Sequence, residues 1–133
     1  MIDSNQDLPE IKTKVLAYLS ANPKTDAILT LGPILAYPKI KALNENGMAG
    51  DIYFGTFDLG TETVKDINAG IINWEIDQQP FLQVYLLVVV LTNYDRYGVI
   101  PWNNINSGTS FVTKDGLTLV EKYAVEYRYN IRR

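Results

Sequence analysis

The sequence contains no cysteine and no histidine, and each absence removes a class of function. Without cysteine the chain has no disulfide framework and no thiol chemistry, and its redox compartment stays undetermined. Without histidine it lacks the commonest general base and metal ligand near neutral pH. The composition therefore weighs against an enzyme, and we expect neither a metal site nor a cofactor.

Strong charge and long apolar segments are also missing. The formal net charge is -3, from 12 basic and 15 acidic side chains mixed along the chain, so we expect no nucleic-acid partner. The longest apolar run, residues 81–91, is interrupted by Gln83 and is shorter than the ~20 residues that a membrane span needs. The first ten residues have neither a basic start nor an apolar run, so we expect no export signal in the chain as given.

What is present is enough for one hydrophobic core. The chain has 133 residues, of which 47% are hydrophobic, so we predict a single domain over residues 1–133. Short apolar runs typical of strands alternate with helical periodicity, which indicates an α/β fold with a mostly parallel sheet. The predicted helices cover about 8–21, 34–46, 61–69, 78–97 and 115–129, and the predicted strands cover 27–31, 52–57, 71–76 and 111–113.

Two helices carry specific predictions. Asp7, Pro9 and Glu10 have the spacing of an N-cap, a first-turn proline and a capping-box glutamate. Residues 81–91 are apolar at nearly every position, which predicts a helix that is buried on most sides. The sequence Asn46-Gly47 is typical of a left-handed helix stop.

Polar side chains follow two of the predicted strands at the point where each ends. Phe57 and Asp58 close the strand 52–57, and Asp77, Gln78 and Gln79 follow the strand 71–76. The carboxyl ends of parallel strands open onto one edge of a sheet, where α/β domains bind their ligands. We therefore expect Asp58 and Gln78 to be near neighbours, with Gly32 beside them.

The runs GTFDL, ending at Leu59, and IDQQPFLQ, ending at Gln83, resemble the sugar-binding proteins of bacterial ABC importers, the type I periplasmic binding proteins. The resemblance continues to Lys114. Members of that family are longer and have two lobes, so the resemblance implies that this chain is a truncated part of the C-terminal lobe. The implied fold is a three-layer αβα arrangement of the Rossmann-like, flavodoxin-like type.

The resemblance also implies a ligand site. In the family, the aspartate corresponding to Asp58 accepts hydrogen bonds from adjacent sugar hydroxyls, and the glutamine corresponding to Gln78 contacts sugar. With Phe57 and Gly32 these residues form the expected site for a sugar or polyol. The residues alone favour Asp58 as a turn-former or as a cap for the helix near residue 61, and Asp77 as the N-cap of the long helix.

The chain departs from the family pattern at three places. Where many relatives carry Asn-Asp, with the asparagine binding sugar, this chain has Leu31-Gly32-Pro33, so one polar contact is missing. Val84 stands where glycine is common. The segment around Ser107 resembles TGPGFVTK, which passes close to the interlobe hinge, but Pro and Gly are replaced. Of Gln79 and Gln83, one is expected to pack or to bridge to the other lobe.

Three functions are compatible with these observations. The first is a solute-binding lobe that closes on a sugar against a missing N-terminal lobe and presents it to importer membrane subunits, in the periplasm or lipoprotein-anchored outside the cell. The second is the effector-sensing domain of a lac-repressor-type regulator. The third is an enzyme with Asp58, Glu75 and Asp77 as acid, base or Mg²⁺ ligands, with Glu75 and Asp77 on one strand face.

The last expectation concerns association. The strand that precedes the first helix in the family is reduced here to Met1-Ile2, and we expect its place to be between the strands 27–31 and 52–57. Unless these strands pair directly, their unpaired edges recruit another chain. We therefore expect a homodimer or a domain-swapped assembly, with the helix 78–97 as a further surface.

Overall fold

The computed structural model describes residues 7–108, 110–118 and 120–122. It confirms the predicted alternation of helices and strands. The elements are α1 (Leu8–Ala21), β1 (Ala27–Leu29), α2 (Pro33–Glu45), β2 (Tyr53–Phe57), α3 (Thr61–Asn68), β3 (Trp74–Asp77), α4 (Pro80–Tyr97), β4 (Ser110–Val112) and a 3₁₀ turn at Lys114–Gly116. Most of the predicted last helix, with Leu119, Tyr123 and Tyr127, lies outside the described residues.

The sheet has the order β1-β2-β3-β4, and its first three strands are parallel. In the ladder, Phe54 lies opposite Ile28 and Thr56 lies opposite Glu75. Strand β4 runs antiparallel to β3 at the edge, with Ser110 opposite Asp77. The sheet is therefore mostly parallel, as the sequence predicts, and the carboxyl ends of β1, β2 and β3 share one edge.

The strands 27–31 and 52–57 pair directly, which is the alternative that the sequence leaves open. Strand β1 pairs directly with β2, with Ala27 opposite Tyr53, and the Thr30 amide extends the ladder by donating to Gly55 O at 3.0 Å. A ladder of this kind leaves no room for a strand between the two. The outer edge of the described sheet is β1 itself, so the expectation of an unpaired interior does not hold.

The hydrophobic core lies on one face of the sheet. Crossovers between parallel strands are right-handed as a rule, which puts α2 and α3 on the same side of β1, β2 and β3, and α1 packs on α2. The core cluster joins these helices to the sheet through buried side chains, among them Val15, Ala36, Ile40, Leu43, Phe54, Val64, Ile67 and Val112. The core therefore supports the strand ends from one side.

The opposite face of the sheet is more open. By alternation with the buried Phe54, the side chains of Tyr53 and of the residues in register with Gly55 lie on this second face. Leu29, Tyr53 and Phe111 are exposed there, and Trp74 is half-buried. The alternation of Trp74 with Ile72 and Ile76 in the sequence predicts a core residue, but the buried Ile72 precedes the strand and Trp74 packs on Phe111.

Helix α4 is not buried, which corrects the prediction for residues 81–91. None of its residues is buried, and Leu82, Leu86 and Val90 form a single half-buried stripe. Its large apolar side chains are exposed around the rest of the helix: Phe81, Val84, Tyr85, Leu87, Val88, Val89 and Leu91. The composition signals a covered helix, but the described residues do not supply the cover. Among them, no helix has both the length and the apolar character to cross a membrane.

The predicted capping box of α1 is also wrong. Asp7 occupies the N-cap position, but its side chain makes no capping hydrogen bond. Glu10 pairs with Lys14 one turn later, at 2.7 Å, because that partner lies on the same face of the helix. The left-handed stop of α2 is present, with Gly47 at a φ of 68°.

Candidate functional site

The parallel strands bring three of the predicted site residues to one edge of the sheet. Gly32 follows β1, Asp58 follows β2 directly, and Gln78 follows β3 directly. The amide of Asp58 donates a hydrogen bond to Ile76 O at 3.0 Å, which ties the end of β2 to the end of β3. Phe57 is half-buried on the open face of the sheet, in register with Ile76.

Asp58 has a left-handed backbone, with a φ of 68°, and is half-buried. Aspartate tolerates this conformation better than most residues, because its short polar side chain can bond locally. Two residues later, Gly60 is the N-cap of α3, and the Thr63 hydroxyl accepts a hydrogen bond from the Gly60 amide at 2.8 Å. Asp58 therefore belongs to the turn that leaves β2, at the edge where the strands open.

A second left-handed residue follows β3. Gln79, with a φ of 56°, is the N-cap of α4, so the prediction that Asp77 occupies this position is wrong by two residues. The buried carboxylate of Asp77 instead accepts a hydrogen bond from the Gln79 amide at 2.8 Å. Gln78 lies between them and is exposed at the edge of the sheet.

The carbonyl of Gln78 receives two side-chain donors. Gln83 Nε2 donates to it at 2.6 Å from the first turn of α4, and Ser107 Oγ lies at 3.4 Å. The side chain of Gln79 points toward Gly108, where a β-carbon would lie 3.6 Å from its Nε2 atom. The contact of Gln83 with Gln78 was not predicted from the sequence, although Gln83 is the residue that interrupts the apolar run 81–91.

The end of β1 differs from the other two strand ends. Gly32 is buried, has a φ of 141° that favours glycine, and accepts the first amide hydrogen bonds of α2 through its carbonyl. Leu31 and Ile34 on either side are exposed, at 73% and 45%. The polar groups of the site are thus concentrated at β2 and β3, and the β1 end presents backbone and apolar side chains.

Polar side chains also lie beneath the edge, on the core face. Thr30 Oγ1 donates to Thr56 Oγ1 at 2.7 Å between β1 and β2, and both residues are buried. Glu75 and Asp77 share this face, as predicted, but Glu75 has no exposed surface and faces the core rather than the edge. In the described part of the chain, no group of three or more acidic, histidine or cysteine residues could hold a metal ion.

An open groove of about 340 Å³ lies beside the turn at Gln78, between α4 and the segment that follows it. It begins at Gln83 and Ser107, the two donors to the Gln78 carbonyl. Its other lining residues are Leu86, Leu87, Val90, Pro101, Asn103, Asn104 and Ile105. The two donors therefore stand where the strand edge meets the surface of α4.

Comparison with known proteins gives consistent results. Residues 1–96 match the family model of the periplasmic binding protein domain. The xylose/arabinose-binding protein XylF of Sulfolobus acidocaldarius is 31% identical over 100 residues, which are 74% of this chain and 23% of that protein.

The fold is shared with solved structures. A carbohydrate transporter from Acidothermus cellulolyticus in complex with myo-inositol has a TM-score of 0.78 and 32% identity, over 89% of this chain and 41% of that one. A solute-binding protein from Agrobacterium vitis with bound D-fucose has a TM-score of 0.78 and 19% identity, over 95% of this chain and 43% of that one. The chain thus spans about a quarter of the curated relative and two-fifths of these structures.

Proposed function

The chain belongs to the periplasmic binding protein family, and on that premise we propose that it is the sugar-binding lobe of a solute-binding protein serving an ABC importer. Its ligand lies at the carboxyl ends of β1, β2 and β3. The relatives described above are named for transport or for sugar binding, and none of them favours the regulator hypothesis. The parent protein would work in the periplasm or at the cell exterior.

The observation that carries this proposal is that Asp58 and Gln78 directly follow two adjacent parallel strands, whose ends are tied by the hydrogen bond from the Asp58 amide to Ile76 O. An ionised carboxylate only accepts hydrogen bonds, and its two oxygens can serve neighbouring hydroxyl donors. A glutamine amide both donates and accepts, as a hydroxyl does. Together they complement vicinal hydroxyl groups, which sugars and polyols carry.

The shape of the edge supports a role for a second lobe. Ordinary small-molecule pockets bury 70–90% of their ligand, whereas this edge offers one side of a crevice. A ligand on Asp58 and Gln78 would keep its other side in water until a facing lobe closes on it. The exposed apolar side chains of α4 also indicate that further polypeptide packs against this helix. The missing N-terminal lobe supplies both in this proposal, and importer membrane subunits receive the closed form.

The structure weakens the enzyme hypothesis, in which Asp58, Glu75 and Asp77 act as acid, base or Mg²⁺ ligands. Glu75 is turned into the core, so a ligand at the strand edge does not reach its carboxylate. Asp77 is buried as well and already accepts the Gln79 amide. Of the three carboxylates in that hypothesis, Asp58 remains at the edge, and a single carboxylate fits hydroxyl recognition better than paired acid and base chemistry.

The test is a titration of the isotope-labelled chain with xylose, arabinose, myo-inositol and D-fucose, followed by NMR. We expect millimolar binding, with the largest changes in chemical shift at Asp58 and Gln78. Calorimetry on the same samples should detect weak binding or none. Asp58→Asn should lower the affinity by about tenfold or more, because it removes a charged acceptor. Asp51→Asn, at the opposite end of β2 and exposed, is the matched control.

Two results would contradict the proposal. One is the absence of any response at the strand ends to every member of the panel. The other is an equal loss of affinity in Asp58→Asn and Asp51→Asn, which would show that the sugar does not bind at this edge of the sheet. Micromolar binding by the chain alone would keep the site but remove the need for a second lobe.

A further inference from the structure

We propose that Gln83 is a positioning residue that holds the peptide group between Gln78 and Gln79 in its binding orientation; this inference rests on the function proposed above. The carbonyl oxygen of Gln78 and the amide of Gln79 are the two ends of that one peptide group. Gln83 Nε2 donates to the carbonyl at 2.6 Å, and Asp77 Oδ1 accepts from the amide at 2.8 Å. The peptide is therefore clamped at both ends by side chains.

The clamp matters because a peptide group is a rigid plane. Fixing its carbonyl and its amide therefore fixes two backbone angles together, ψ of Gln78 and φ of Gln79. The second of these is the left-handed φ of 56° at Gln79, a conformation that costs a non-glycine residue energy. A reversed peptide would relieve that cost, but it would turn the Gln78 carbonyl toward the Asp77 carboxylate and away from Gln83.

Core packing does not replace the clamp. Helix α4 has no buried residue and packs only through the half-buried stripe of Leu82, Leu86 and Val90, so its packing holds the preceding turn weakly. Asp77 holds the amide from the buried side of β3, and Gln83 holds the carbonyl from the side of α4. Ser107 lies 3.4 Å from the same carbonyl and gives weaker support. The direction in which Gln78 leaves the sheet edge therefore depends on Gln83.

The role of Gln83 can be tested with a substitution that removes its hydrogen-bond donor and keeps its size. Gln83→Glu removes the donor and sets a carboxylate against the Gln78 carbonyl. We expect a loss of affinity of about fivefold for the sugar panel, the usual effect of one hydrogen bond. Gln83→Lys restores a donor and should recover most of the loss. Asn93→Asp makes the same amide-to-acid change at an exposed position later on α4 and is the matched control.

Two readouts on the labelled chain separate this inference from the proposed function. Without sugar, the carbonyl ¹³C resonance of Gln78 and the Nε2 resonance of Gln83 report the hydrogen bond. With xylose, arabinose and myo-inositol, the NMR titration reports affinity. The inference is supported if Gln83→Glu moves the Gln78 carbonyl resonance and weakens binding, Gln83→Lys recovers both, and Asn93→Asp changes neither.

Each other outcome overturns it. A moved carbonyl resonance with unchanged affinity would show that the clamp is structural and has no part in binding. Weaker binding with an unmoved Gln78 resonance would show that Gln83 acts by another route. If the unaltered chain binds no member of the panel, the proposed function fails first and this inference fails with it.

Discussion

The indole ring of Trp74 lies against Gly55 on the neighbouring strand, in the space that any β-carbon at Gly55 would take. A methyl group there would stand 2.3 Å from Trp74 Cζ2. The ring also meets Phe111 of β4, with the ring centroids 5.3 Å apart. Gly55, Trp74 and Phe111 thus form a stack across three strands on the open face of the sheet.

This stack predicts the effect of adding one carbon atom. Gly55→Ala should lower the free energy of unfolding by about 1–3 kcal/mol, because the ring must leave its position. In Gly55→Ala/Trp74→Leu the ring is gone, so the double variant should lose less than the two single variants added together. Urea denaturation of the four proteins measures the coupling. Strictly additive losses would show that the ring does not restrict Gly55.

The hydrogen bond between Thr30 and Thr56 predicts a different kind of coupling. Thr30→Val removes the donor and leaves the Thr56 hydroxyl buried without it, which should cost about 1–3 kcal/mol of unfolding free energy. Thr30→Val/Thr56→Val replaces both hydroxyls by methyl groups of similar shape and should be nearly neutral relative to the unaltered chain. Thermal or urea unfolding decides this, and a double variant less stable than Thr30→Val would contradict it.

Lys39 predicts a dependence of stability on pH. Burial of its side chain in α2 lowers the pKa of Lys39 below the ordinary 10.5. The unfolded chain therefore binds this proton more tightly than the folded one. Stability contributed by this group rises as the pH increases through the lowered pKa toward 10.5, and is constant beyond that value.

Lys39→Met should remove this rise and increase the unfolding free energy at neutral pH by roughly 1 kcal/mol, because the buried charge is gone. Lys41→Met, an exposed position on the same helix, should change neither. Urea denaturation between pH 7 and the alkaline range compares the three proteins. The prediction is wrong if Lys41→Met and Lys39→Met have the same pH profile.

The apolar surface of α4 predicts association of the chain with itself. Large exposed apolar surfaces recruit partners, and Val84 and Val88 are 63% and 57% exposed on adjacent turns. We expect light scattering across a dilution series to show a homodimer or a domain-swapped assembly that dissociates on dilution. Val84→Glu should weaken the assembly, since it buries a charge at the contact, whereas Ser20→Glu, exposed on α1, should not.

A clean monomer at high concentration would contradict this prediction. It would also show that the apolar side chains of α4 tolerate water in the isolated chain. The direct pairing of β1 with β2 already removes one of the two reasons for expecting association. The prediction therefore depends on α4 alone.

The strand ends could be predicted from the sequence because their position follows from topology. Alternating strands and helices imply parallel strands, and parallel strands bring the residues after them to one edge, as they do for Asp58 and Gln78. The backbone conformations at this edge could not be predicted. The left-handed torsion at Asp58 goes with a hydrogen bond to Ile76 on the neighbouring strand, which forms only when the sheet is folded, and the one at Gln79 goes with a local bond from its amide to Asp77.

The surroundings of α4 show the other limit of sequence patterns. An apolar run such as 81–91 indicates that a helix packs against other polypeptide, but it does not indicate which polypeptide. The sequence leaves the direct pairing of β1 with β2 open for a related reason. Apolar residues in a strand such as Ile28 indicate burial, whereas the order of strands depends on which edges are available to pair.

The pairing of Asp77 with Ser110 has a consequence for how this chain tolerates change in length. The polypeptide leaves the sheet after Asp77 and re-enters it at Ser110, and these two residues are direct cross-strand partners about 5 Å apart. Everything between them is a closed excursion whose two ends meet. Because this pair fixes both ends, a change in the length of the segment beyond Gln83 leaves the register of β3 and β4 unaltered.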